Sequence, residues 1–493
     1  MHKLGYYRQA LADQGVLIGG DIGPAAERYV SGITYDSREA GEGVLFVCKG
    51  AHFLPEYLSS AIGGGALAYV SEREYSTAGG APCLLVSDIR RAMAVIADRY
   101  YESVWKKLRL IGVTGTKGKS TTVYYMRAIL DEWMKAEGKM PSAVLSGIDN
   151  FDGVVEEESH LTTPETFELY RHFQNAADSG IECLSMEVSS QALKYDRTYG
   201  IIFDVACFLN IGEDHISDIE HSDFEDYFSS KLKIFGQCAA ACVNIGTEGL
   251  YRVLKAAEGS PKCVTFGISE TADVCGYDIR PSGGGIDFRV RGCGLDGEYA
   301  ISMTGLFNVE NALAAISAAY CIGVPANHIR AGLKRAKASG RMEVFKSGDG
   351  KTIIVDYAHN KLSFETLFKS VKAEYPGQKI SIVFGCPGKK ALGRRRELGI
   401  VAGSNADMVF VTEEDAGEEP VMAISEEIAG HVASCGCECR IIPDREEAIR
   451  QAVESAPPGS VVLITGKGRE TRQKRGREYI DTPSDVDYVE RLL

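Results

Sequence analysis

No apolar run in the sequence approaches the ~18 residues that a membrane-spanning helix needs. The first residues also lack a basic segment followed by an apolar one, which is the pattern of a secretory signal. Basic residues are outnumbered as well, because 54 Lys and Arg face 68 Asp and Glu, giving a formal net charge of −14. We therefore expect no membrane insertion, a cytoplasmic location and no nucleic-acid partner, while a local basic pocket for a phosphate stays open.

The cysteines do not form the pattern of a disulfide scaffold, because 14 of them are scattered over 493 residues. Several lie in apolar runs, such as Cys207 and Cys242, and are expected to be reduced, buried thiols. Cys435, Cys437 and Cys439 alternate along a predicted strand, which would place all three on one face. No nearby His or second Cys pair completes a zinc ligand set, so zinc is the disfavoured interpretation of this group.

The chain shows no internal repeat, no low-complexity tract and no long Pro- or Ser-rich linker. Its length predicts roughly three domains at about 150 residues each. With 45% hydrophobic and 25% charged residues the composition is ordinary for a globular protein, and 54 glycines suit an α/β fold with many strand-to-helix turns. Residues 1–108 alternate short apolar segments with helical ones, which predicts a small mixed α/β domain.

Two longer units follow, and both predict sheets of mostly parallel strands. In residues 109–338, continuous apolar strands alternate with helices, as in a sheet covered on both faces. The strands of this unit are predicted at 108–113, 183–188 and 203–210. Residues 339–493 predict an open nucleotide-binding-like sheet, with strands at 352–357, 379–385, 406–412 and 460–466. Ligands of such sheets lie beyond the carboxyl ends of the strands, here at Asp356, Gly385, Thr412 and Gly466.

A glycine-rich loop follows the first strand of the second unit and precedes a helix. It consists of Gly115, Thr116, Lys117, Gly118, Lys119, Ser120 and Thr121. Backbone N–H groups of such a turn cradle phosphates, the Lys119 ammonium meets the β- and γ-phosphates, and the Ser120 hydroxyl can bind Mg²⁺. Val113 stands where the general P-loop pattern has a glycine. The order strand, loop, helix favours nucleotide binding over a Gly- and Lys-rich surface turn.

Three further residues lie near the same predicted rim. Glu187 ends the strand at 183–188 and is placed to bind Mg²⁺, although an exposed strand-terminal acid is the plain alternative. His215 comes just after the strand at 203–210, and a lone His is more often structural than catalytic. Lys231 lies in a helical segment and has the appearance of an ordinary surface lysine, so spacing alone assigns it no chemistry.

Several short motifs occur in a specific order along nearly the whole chain. They are TYDSR (34–38), VLFVCKG (44–50), TGTKGKST (114–121), LTTPET (161–166), MEVSSQAL (186–193), NIGEDH (210–215), YFSSK (227–231), GLFNVENALAA (305–315), GRMEVF (340–345), VDYAH (355–359) and ITGKGRE (464–470). In this order they resemble the Mur ligase family, and within it the MurE ligases, which add the third residue of the peptidoglycan stem peptide. The departure at Val113 is itself a feature of that family's ATP loop.

The resemblance implies a three-domain α/β architecture. A UDP-binding domain would occupy residues 1–108, and a central ATP-binding ligase domain with a P-loop-type, mostly parallel sheet and flanking helices would occupy 109–338. A Rossmann-like, amino-acid-binding domain would occupy 339–493. We expect a monomer whose small-molecule partners are ATP, UDP-MurNAc-dipeptide and a diamino acid, with ATP and Mg²⁺ as cofactors.

The resemblance also implies roles for individual residues. Ser37 would contact the uridine diphosphate, with His52 near it, and the muramoyl-dipeptide would be held by Thr162, Thr163, Ser189 and Arg197. Asn308 and Asn311 would face the adenine, Arg341 the phosphates and Asp356 the ribose. Glu187, His215 and Ser120 would bind Mg²⁺, and Lys231 would be carbamylated, as N6-carboxylysine, to support a second Mg²⁺. Together with Lys119, the residues Glu187, His215 and Lys231 would form the catalytic set.

The reaction that follows is an ATP-dependent amide ligation. The γ-carboxylate of D-Glu attacks the γ-phosphoryl group of ATP, and an amine then displaces phosphate from the acyl phosphate. Because water would destroy this intermediate, the domains must close on the substrates. The alternatives are a folylpolyglutamate-synthetase-like ligase, which needs no N-terminal nucleotide-sugar domain, and an inactive nucleotide-binding protein, against which the intact Lys119, Glu187 and His215 argue.

The added amino acid is predicted from the segment VTEEDAGEEP at 411–420. Ligases for meso-diaminopimelate carry an Asp-Asn-Pro-Arg motif there, whereas this segment has acids and no Arg. The acids of this segment are Glu413, Glu414 and Asp415. They suit an ammonium side chain, so L-lysine is the predicted amino acid. Gly466 and Glu470 are also predicted to contact this amino acid. Cations in 389–396 keep meso-diaminopimelate or another diamino acid open, and Gln191 and Arg469 stand where the family often has His.

Overall fold

The protein is described here from a computed structural model that covers residues 1–50, 53–214, 216, 220–282 and 285–493. The strands of this part of the chain form sheets of five, eleven and six strands and one two-stranded sheet. The three large sheets follow one another along the sequence, so each predicted domain contains one of them. The predicted fold class is confirmed, and the domain boundaries themselves stay predictions.

The first sheet has the strand order β1-β5-β4-β3-β2, and only the β1–β5 pair is antiparallel. Its strands are β1 (Leu17–Gly19), β2 (Gly32–Thr34), β3 (Val44–Val47), β4 (Ala68–Ser71) and β5 (Cys83–Val86). The helices are α1 (Leu4–Asp13), α2 (Pro55–Gly63) and α3 (Ile89–Tyr100). The region therefore has the mixed α/β composition that the sequence predicts.

The second sheet has the order β16-β15-β14-β13-β12-β11-β6-β10-β7-β8-β9. Its strands are β6 (Arg109–Thr114), β7 (Ala143–Leu145), β8 (Asp149–Phe151), β9 (Glu156–Glu158), β10 (Cys183–Glu187), β11 (Phe203–Phe208), β12 (Cys238–Asn244), β13 (Lys262–Gly267), β14 (Val274–Ser282), β15 (Gly285–Arg291) and β16 (Gly297–Ile301). The seven neighbouring strands β14-β13-β12-β11-β6-β10-β7 are parallel, as predicted. Antiparallel pairs extend it at both edges, which the sequence patterns did not reveal.

Seven helices accompany this sheet in the described residues. They are α4 (Lys119–Ala136), α5 (Thr166–Asp178), α6 (Ser190–Lys194), α7 (Phe224–Leu232), α8 (Leu250–Ala257), α9 (Phe307–Cys321) and α10 (Ala326–Arg335). Helix α4 buries Val123, Met126, Ile129 and Leu130, the apolar residues that recur three and four positions apart. This apolar face fixes the helix over the sheet, and its first turn follows the glycine-rich loop.

The third sheet has the order β17-β18-β22-β19-β20-β21, with only β17–β18 antiparallel. Its strands are β17 (Glu343–Lys346), β18 (Thr352–Asp356), β19 (Ile380–Phe384), β20 (Met408–Val411), β21 (Glu438–Ile441) and β22 (Val461–Thr465), and a hairpin adds β23 (Arg472–Arg475) and β24 (Glu478–Asp481). The helices are α11 (Lys361–Glu374), α12 (Gly393–Asn405), α13 (Val421–Ala433), α14 (Arg445–Ser455) and α15 (Asp485–Leu492). The sheet is the open parallel one that the sequence predicts.

The prediction that three cysteines share a strand face is wrong. Strand β21 begins at Glu438, so Cys439 lies on it, whereas Cys435 lies in the preceding turn and Cys437 lies between that turn and the strand. Within the described residues we find no cluster of three or more His, Cys, Asp or Glu side chains arranged to hold a metal ion. In the same part of the chain, no helix combines the length and apolarity needed to cross a membrane.

Candidate active site

The glycine-rich loop is closed by interactions with strand β11's carboxyl end. Lys117 N donates to Asn210 Oδ1 at 2.8 Å, and Thr116 N donates to Asn210 O at 3.0 Å. Helix α4 starts after Gly118, whose φ of 85° lies in the left-handed region. A Cβ at Gly118 would also overlap Asn311 Oδ1, so this position requires glycine on two counts. The loop therefore presents its backbone at the N-terminus of a helix, which is where anions bind.

One cleft of about 420 Å³ contains most of the predicted nucleotide and metal residues. Those that line it are Thr116, Lys117, Gly118, Lys119, Ser120, Thr121, Glu187, Asn308, Asn311, Arg341 and Asp356, and Thr162, which was predicted to hold the dipeptide, lines it as well. Lys119 Nζ donates to Gly115 O at 3.0 Å, and burial lowers the pKa of this lysine. The glycine-rich loop (residues 115–121, the predicted phosphate loop), the predicted adenine residues and the first strands of the third sheet thus meet in one place.

The C-terminal domain reaches this cleft through Arg341. Its Nη2 atom donates to Ser120 Oγ at 3.3 Å, and its guanidinium lies 4.2 Å from the centre of the Tyr357 ring. Asp356, at the end of β18, accepts backbone hydrogen bonds from Met342 at 2.9 Å and Ala358 at 2.8 Å. Burial raises the pKa of the Asp356 carboxyl. These contacts place a cation beside the loop that would hold phosphates.

Lys231 is not the surface lysine that its helical context predicted. The residue is only 1% exposed, and its Nζ atom donates to Gly115 O at 2.9 Å, directly under the phosphate loop. Burial, followed by the charge of Lys119, lowers the pKa of the Lys231 amine well below its ordinary 10.5. Among the described residues no carboxylate lies within ion-pair distance of this amine. A lowered pKa favours the neutral amine, which is the form that can react with CO₂.

Glu187 is a buried carboxylate at the end of β10, with 2% of its surface exposed. Its Oε1 atom accepts from Gly147 N at 2.8 Å, and no Lys or Arg of the described chain pairs with it. An acid left without a cation inside a cleft, near the Ser120 hydroxyl, presents the oxygen donors that Mg²⁺ prefers. The donor set thus fits this metal. His215, the other predicted ligand, lies outside the described residues.

The predicted dipeptide residues form a connected group next to Glu187. Thr163 Oγ1 donates to Glu187 O at 3.0 Å and accepts from Ser189 N at 2.9 Å. Arg197 Nη1 donates to Thr163 O at 2.9 Å. The structure therefore brings Thr163, Ser189 and Arg197 together behind Glu187.

A second acid ties this group to the N-terminal domain. Glu165 pairs with Arg197 through Oε1 at 2.5 Å and with Lys49 through Oε2. Tyr35 donates to Glu168 Oε1 at 2.6 Å. Glu165 and Lys49 lie within motifs of the resemblance, but the sequence assigned them no role because the ion pair joins residues 116 positions apart.

Asp214 joins the phosphate loop to the C-terminal domain. Its carboxylate, 3% exposed, lies 3.3 Å from Lys117 Nζ and 3.0 Å from Arg394 Nη2. Asn360, which caps α11, donates to the same carboxylate at 2.5 Å. Sequence reasoning singled out the neighbouring His215 and missed Asp214, whose partners lie in a distant part of the chain.

At the carboxyl end of the third sheet, two of the predicted acids are already paired. Glu413 is held by Arg475 of strand β23, with Nη2–Oε1 at 2.5 Å and Nε–Oε2 at 3.1 Å. Lys467 Nζ lies 3.1 Å from Asp415 Oδ1 and 2.6 Å from Glu470 Oε2. The sequence did not anticipate Arg475 here, because nothing local connects a hairpin residue to the loop after β20.

Glu414 differs from its neighbours. It is 8% exposed, and no basic group of the described chain lies within ion-pair distance of its carboxylate. Burial raises its pKa from 4.5 to about 7, although Arg445 and Lys467 partly oppose this. A Cβ on Gly466 would overlap Glu414 Oε2, so the two strand ends approach closely at this point.

The remaining predicted residues that the structure describes do not line the cleft. Ser37 lies in a turn after β2 and does not line it, and His52 lies outside the described residues. Gln191 donates to Glu220 Oε1 at 3.3 Å, and Arg469 pairs with Glu343 at 2.6 Å.

Comparison with known proteins agrees with this arrangement. The Mur ligase middle domain matches residues 113–319, and the Mur ligase glutamate ligase domain matches residues 340–468. The UDP-N-acetylmuramyl-tripeptide synthetase of Lactobacillus delbrueckii subsp. bulgaricus is 34% identical over 504 residues, which cover 97% of this chain and 96% of the relative. The UDP-N-acetylmuramoyl-L-alanyl-D-glutamate–L-lysine ligase of Streptococcus thermophilus is 36% identical, with 94% and 92% covered.

Among solved structures, a UDP-N-acetylmuramoyl-L-alanyl-D-glutamate–2,6-diaminopimelate ligase superposes with a TM-score of 0.66. It is 26% identical, and the match covers 96% of this chain and 97% of that structure. The similarity thus extends over all three sheets. The chain belongs to the Mur ligase family.

Proposed function

We propose that this chain uses ATP to join L-lysine to the D-Glu γ-carboxylate of UDP-MurNAc-L-Ala-D-Glu, as the third residue of the peptidoglycan stem peptide. As a Mur ligase it is an ATP-dependent amide ligase of peptidoglycan synthesis. The choice of L-lysine is supported by one observation above all: Glu414 is a buried acid beside Gly466 that forms no ion pair with any described residue.

Phosphoryl transfer is assigned to the cleft. The loop backbone and Lys119 would hold the β- and γ-phosphates, and Arg341 would neutralise charge on the group being transferred. Asn308 and Asn311 line the same cleft and would face the adenine, while Asp356 would meet the ribose. The transferred group would then be held close to the acyl acceptor, so that positioning and electrostatics carry most of the catalysis.

Mg²⁺ is assigned to Glu187 and Ser120, together with His215. When bound, the metal would neutralise the negative charge of the phosphates. The buried Lys231 amine is suited to carbamylation, which would replace a cation by an anion next to Gly115. The charge of this side of the cleft would thereby become favourable for a second Mg²⁺.

The relatives are named for both amino acids, so the choice between them rests on the site. A second carboxylate, as in meso-diaminopimelate, would need an unpaired cation where the L-lysine ammonium would need an unpaired acid. Lys467 and Arg475 are paired with acids, and so are Lys389, Arg394 and Arg395 of the segment that kept the alternative open. The other two cations of that segment, Lys390 and Arg396, are exposed side chains. Glu414 therefore favours the ammonium.

An amino-acid panel tests the proposal. Purified enzyme is supplied with ATP, Mg²⁺, UDP-MurNAc-L-Ala-D-Glu and one amino acid at a time: L-lysine, L-ornithine or meso-diaminopimelate. Phosphate release and product mass are measured, and L-lysine is expected to give the highest kcat/KM. Preferential use of meso-diaminopimelate would contradict the lysine assignment. Phosphate release without the nucleotide sugar would instead support the folylpolyglutamate-synthetase-like alternative.

A further inference from the structure

A buried ion pair lies beneath the amino-acid end of the site. Arg445 is the first residue of α14 and Asp485 is the first residue of α15, and their side chains are 4% and 0% exposed. Arg445 Nε lies 2.6 Å from Asp485 Oδ1, and Nη2 lies 2.7 Å from Oδ2. Burying two charges costs desolvation energy that their attraction often fails to exceed, so stability alone does not account for such a pair.

The other hydrogen bonds of this pair reach the two loops that carry the predicted amino-acid residues. Arg445 Nη1 donates to Glu413 O at 3.1 Å, in the loop after β20. Arg445 Nη2 donates to Thr465 O at 2.8 Å, at the end of β22, and Asp485 Oδ2 accepts from Gly468 N at 3.1 Å. One planar guanidinium thus binds the backbone of both strand ends at once, which a point-charge ammonium cannot do in the same geometry.

The relative position of these two loops is what shapes the site. Glu414 immediately follows the carbonyl that Arg445 holds, and Gly466 immediately follows Thr465. The Glu414 carboxylate packs directly against Gly466. A small displacement of either loop would therefore change the space beside the carboxylate.

We propose that Arg445, held by Asp485, is a positioning residue that sets the separation of residues 413–415 from residues 466–470 and thereby selects the acceptor amino acid by side-chain length. The proposal rests on the proposed function only in placing the acceptor at this end of the site. Arg445 touches no substrate in this account and acts through Glu413 and Thr465.

The test compares Arg445→Lys with Arg450→Lys, a matched control on the same helix. Arg450 is partly exposed and pairs with Glu447 and Glu454 at the surface, so its replacement removes no loop contact. Kinetics are measured with the amino acid that the wild-type enzyme prefers, whichever it is, and with a homologue one methylene shorter. A failure of the lysine assignment would thus appear in the wild-type panel and leave this test intact.

For Arg445→Lys we expect the amino-acid KM to rise about tenfold or more and the preference over the shorter homologue to fall, since small misplacements of binding groups carry large penalties. The KM for ATP should stay within about twofold, because Arg445 does not reach the phosphate loop. Arg450→Lys should match the wild type in every constant. Melting temperatures of both variants accompany the kinetics.

A folded Arg445→Lys enzyme with unchanged amino-acid KM and unchanged preference would overturn the proposal. An equal loss in kcat with every substrate would do the same, since a merely structural role predicts that result. If Arg445→Lys does not fold, Asp485→Asn takes its place, because Asn keeps the shape and an oxygen acceptor for Gly468 N. For Asp485→Asn, too, an unchanged amino-acid KM with unchanged preference, or an equal loss in kcat with every substrate, would overturn the proposal.

Discussion

The Glu414 carboxylate should make the affinity for L-lysine depend on pH in a window centred near 7. Burial disfavours the charged carboxylate and raises its pKa from 4.5 to about 7, so the free site loses a proton as the pH rises through this value. The L-lysine side chain stays an ammonium throughout, and under the proposed function it would bind the ionised carboxylate. Affinity should therefore rise with pH from 6 to 8.

The size of the effect follows from the ionised fraction. One unit below the pKa about one-tenth of the carboxylates are ionised, and one unit above it about nine-tenths are, so the wild-type KM should fall about tenfold from pH 6 to pH 8. Glu414→Gln has no ionisable group at this position, so its KM should not show this fall. Because the attacking amine also titrates, the measured quantity is the ratio of KM in Glu414→Gln to KM in the wild type.

The assay measures this ratio at pH 6, 7 and 8 with saturating ATP and nucleotide-sugar dipeptide. We expect it to increase about tenfold across the range, as the titration above requires. Glu418→Gln is the control, because Glu418 is a partly exposed acid that pairs with Lys389 and Arg477. A ratio for Glu414→Gln that stays constant from pH 6 to pH 8 would refute the reasoning.

Stability gives an independent check on the same carboxylate. A raised folded-state pKa means that ionisation opposes folding, and the shift from 4.5 to about 7 corresponds to about 3 kcal/mol at 1.36 kcal/mol per unit. This penalty is absent below the unfolded-state pKa and fully present above about pH 7. Glu414→Gln should therefore raise the melting temperature at pH 8 more than at pH 4.5.

Three further predictions concern the phosphate loop. Lys119→Ala should abolish phosphate release while the melting temperature stays close to that of the wild type, and normal turnover would contradict the assignment of this loop. Lys231→Ala should be nearly inactive and regain part of its activity with added acetate or formate, as expected of a missing carboxylate; full activity without these acids would exclude a carbamate. Gly118→Ala should raise the KM for ATP at least about tenfold, because the new methyl group overlaps Asn311 and the loop must shift; an unchanged KM for ATP would show that the loop tolerates a side chain there.

Much of the fold could be predicted from local patterns. The strands that end at Glu187 and Asp356 lie within a residue of their predicted positions, because continuous apolar runs specify buried parallel strands. The glycine-rich loop could also be predicted, because its conformation depends on glycines and other residues that are adjacent in the sequence. Where the pattern was short, as at Cys435 and Cys437, the prediction of a strand face was wrong.

The antiparallel edges of the central sheet were not predictable in this way. Strands β8 and β9 are only three residues long, too short for periodicity to identify. Strand β8 is defined by its pairing with β7, and β9 by its pairing with β8, and only the folded chain provides these contacts.

For the active site, the sequence by itself determined which chemical groups are present and the order in which they follow their strands. The tertiary structure alone decided their electrostatic state. The pKa of Lys231 is lowered because folding buries its amine beneath Gly115, which is 116 positions away. Glu413 is paired because folding brings Arg475 next to it from 62 positions away. Charge and burial depend on neighbours in space, and distant neighbours leave no local pattern in the chain.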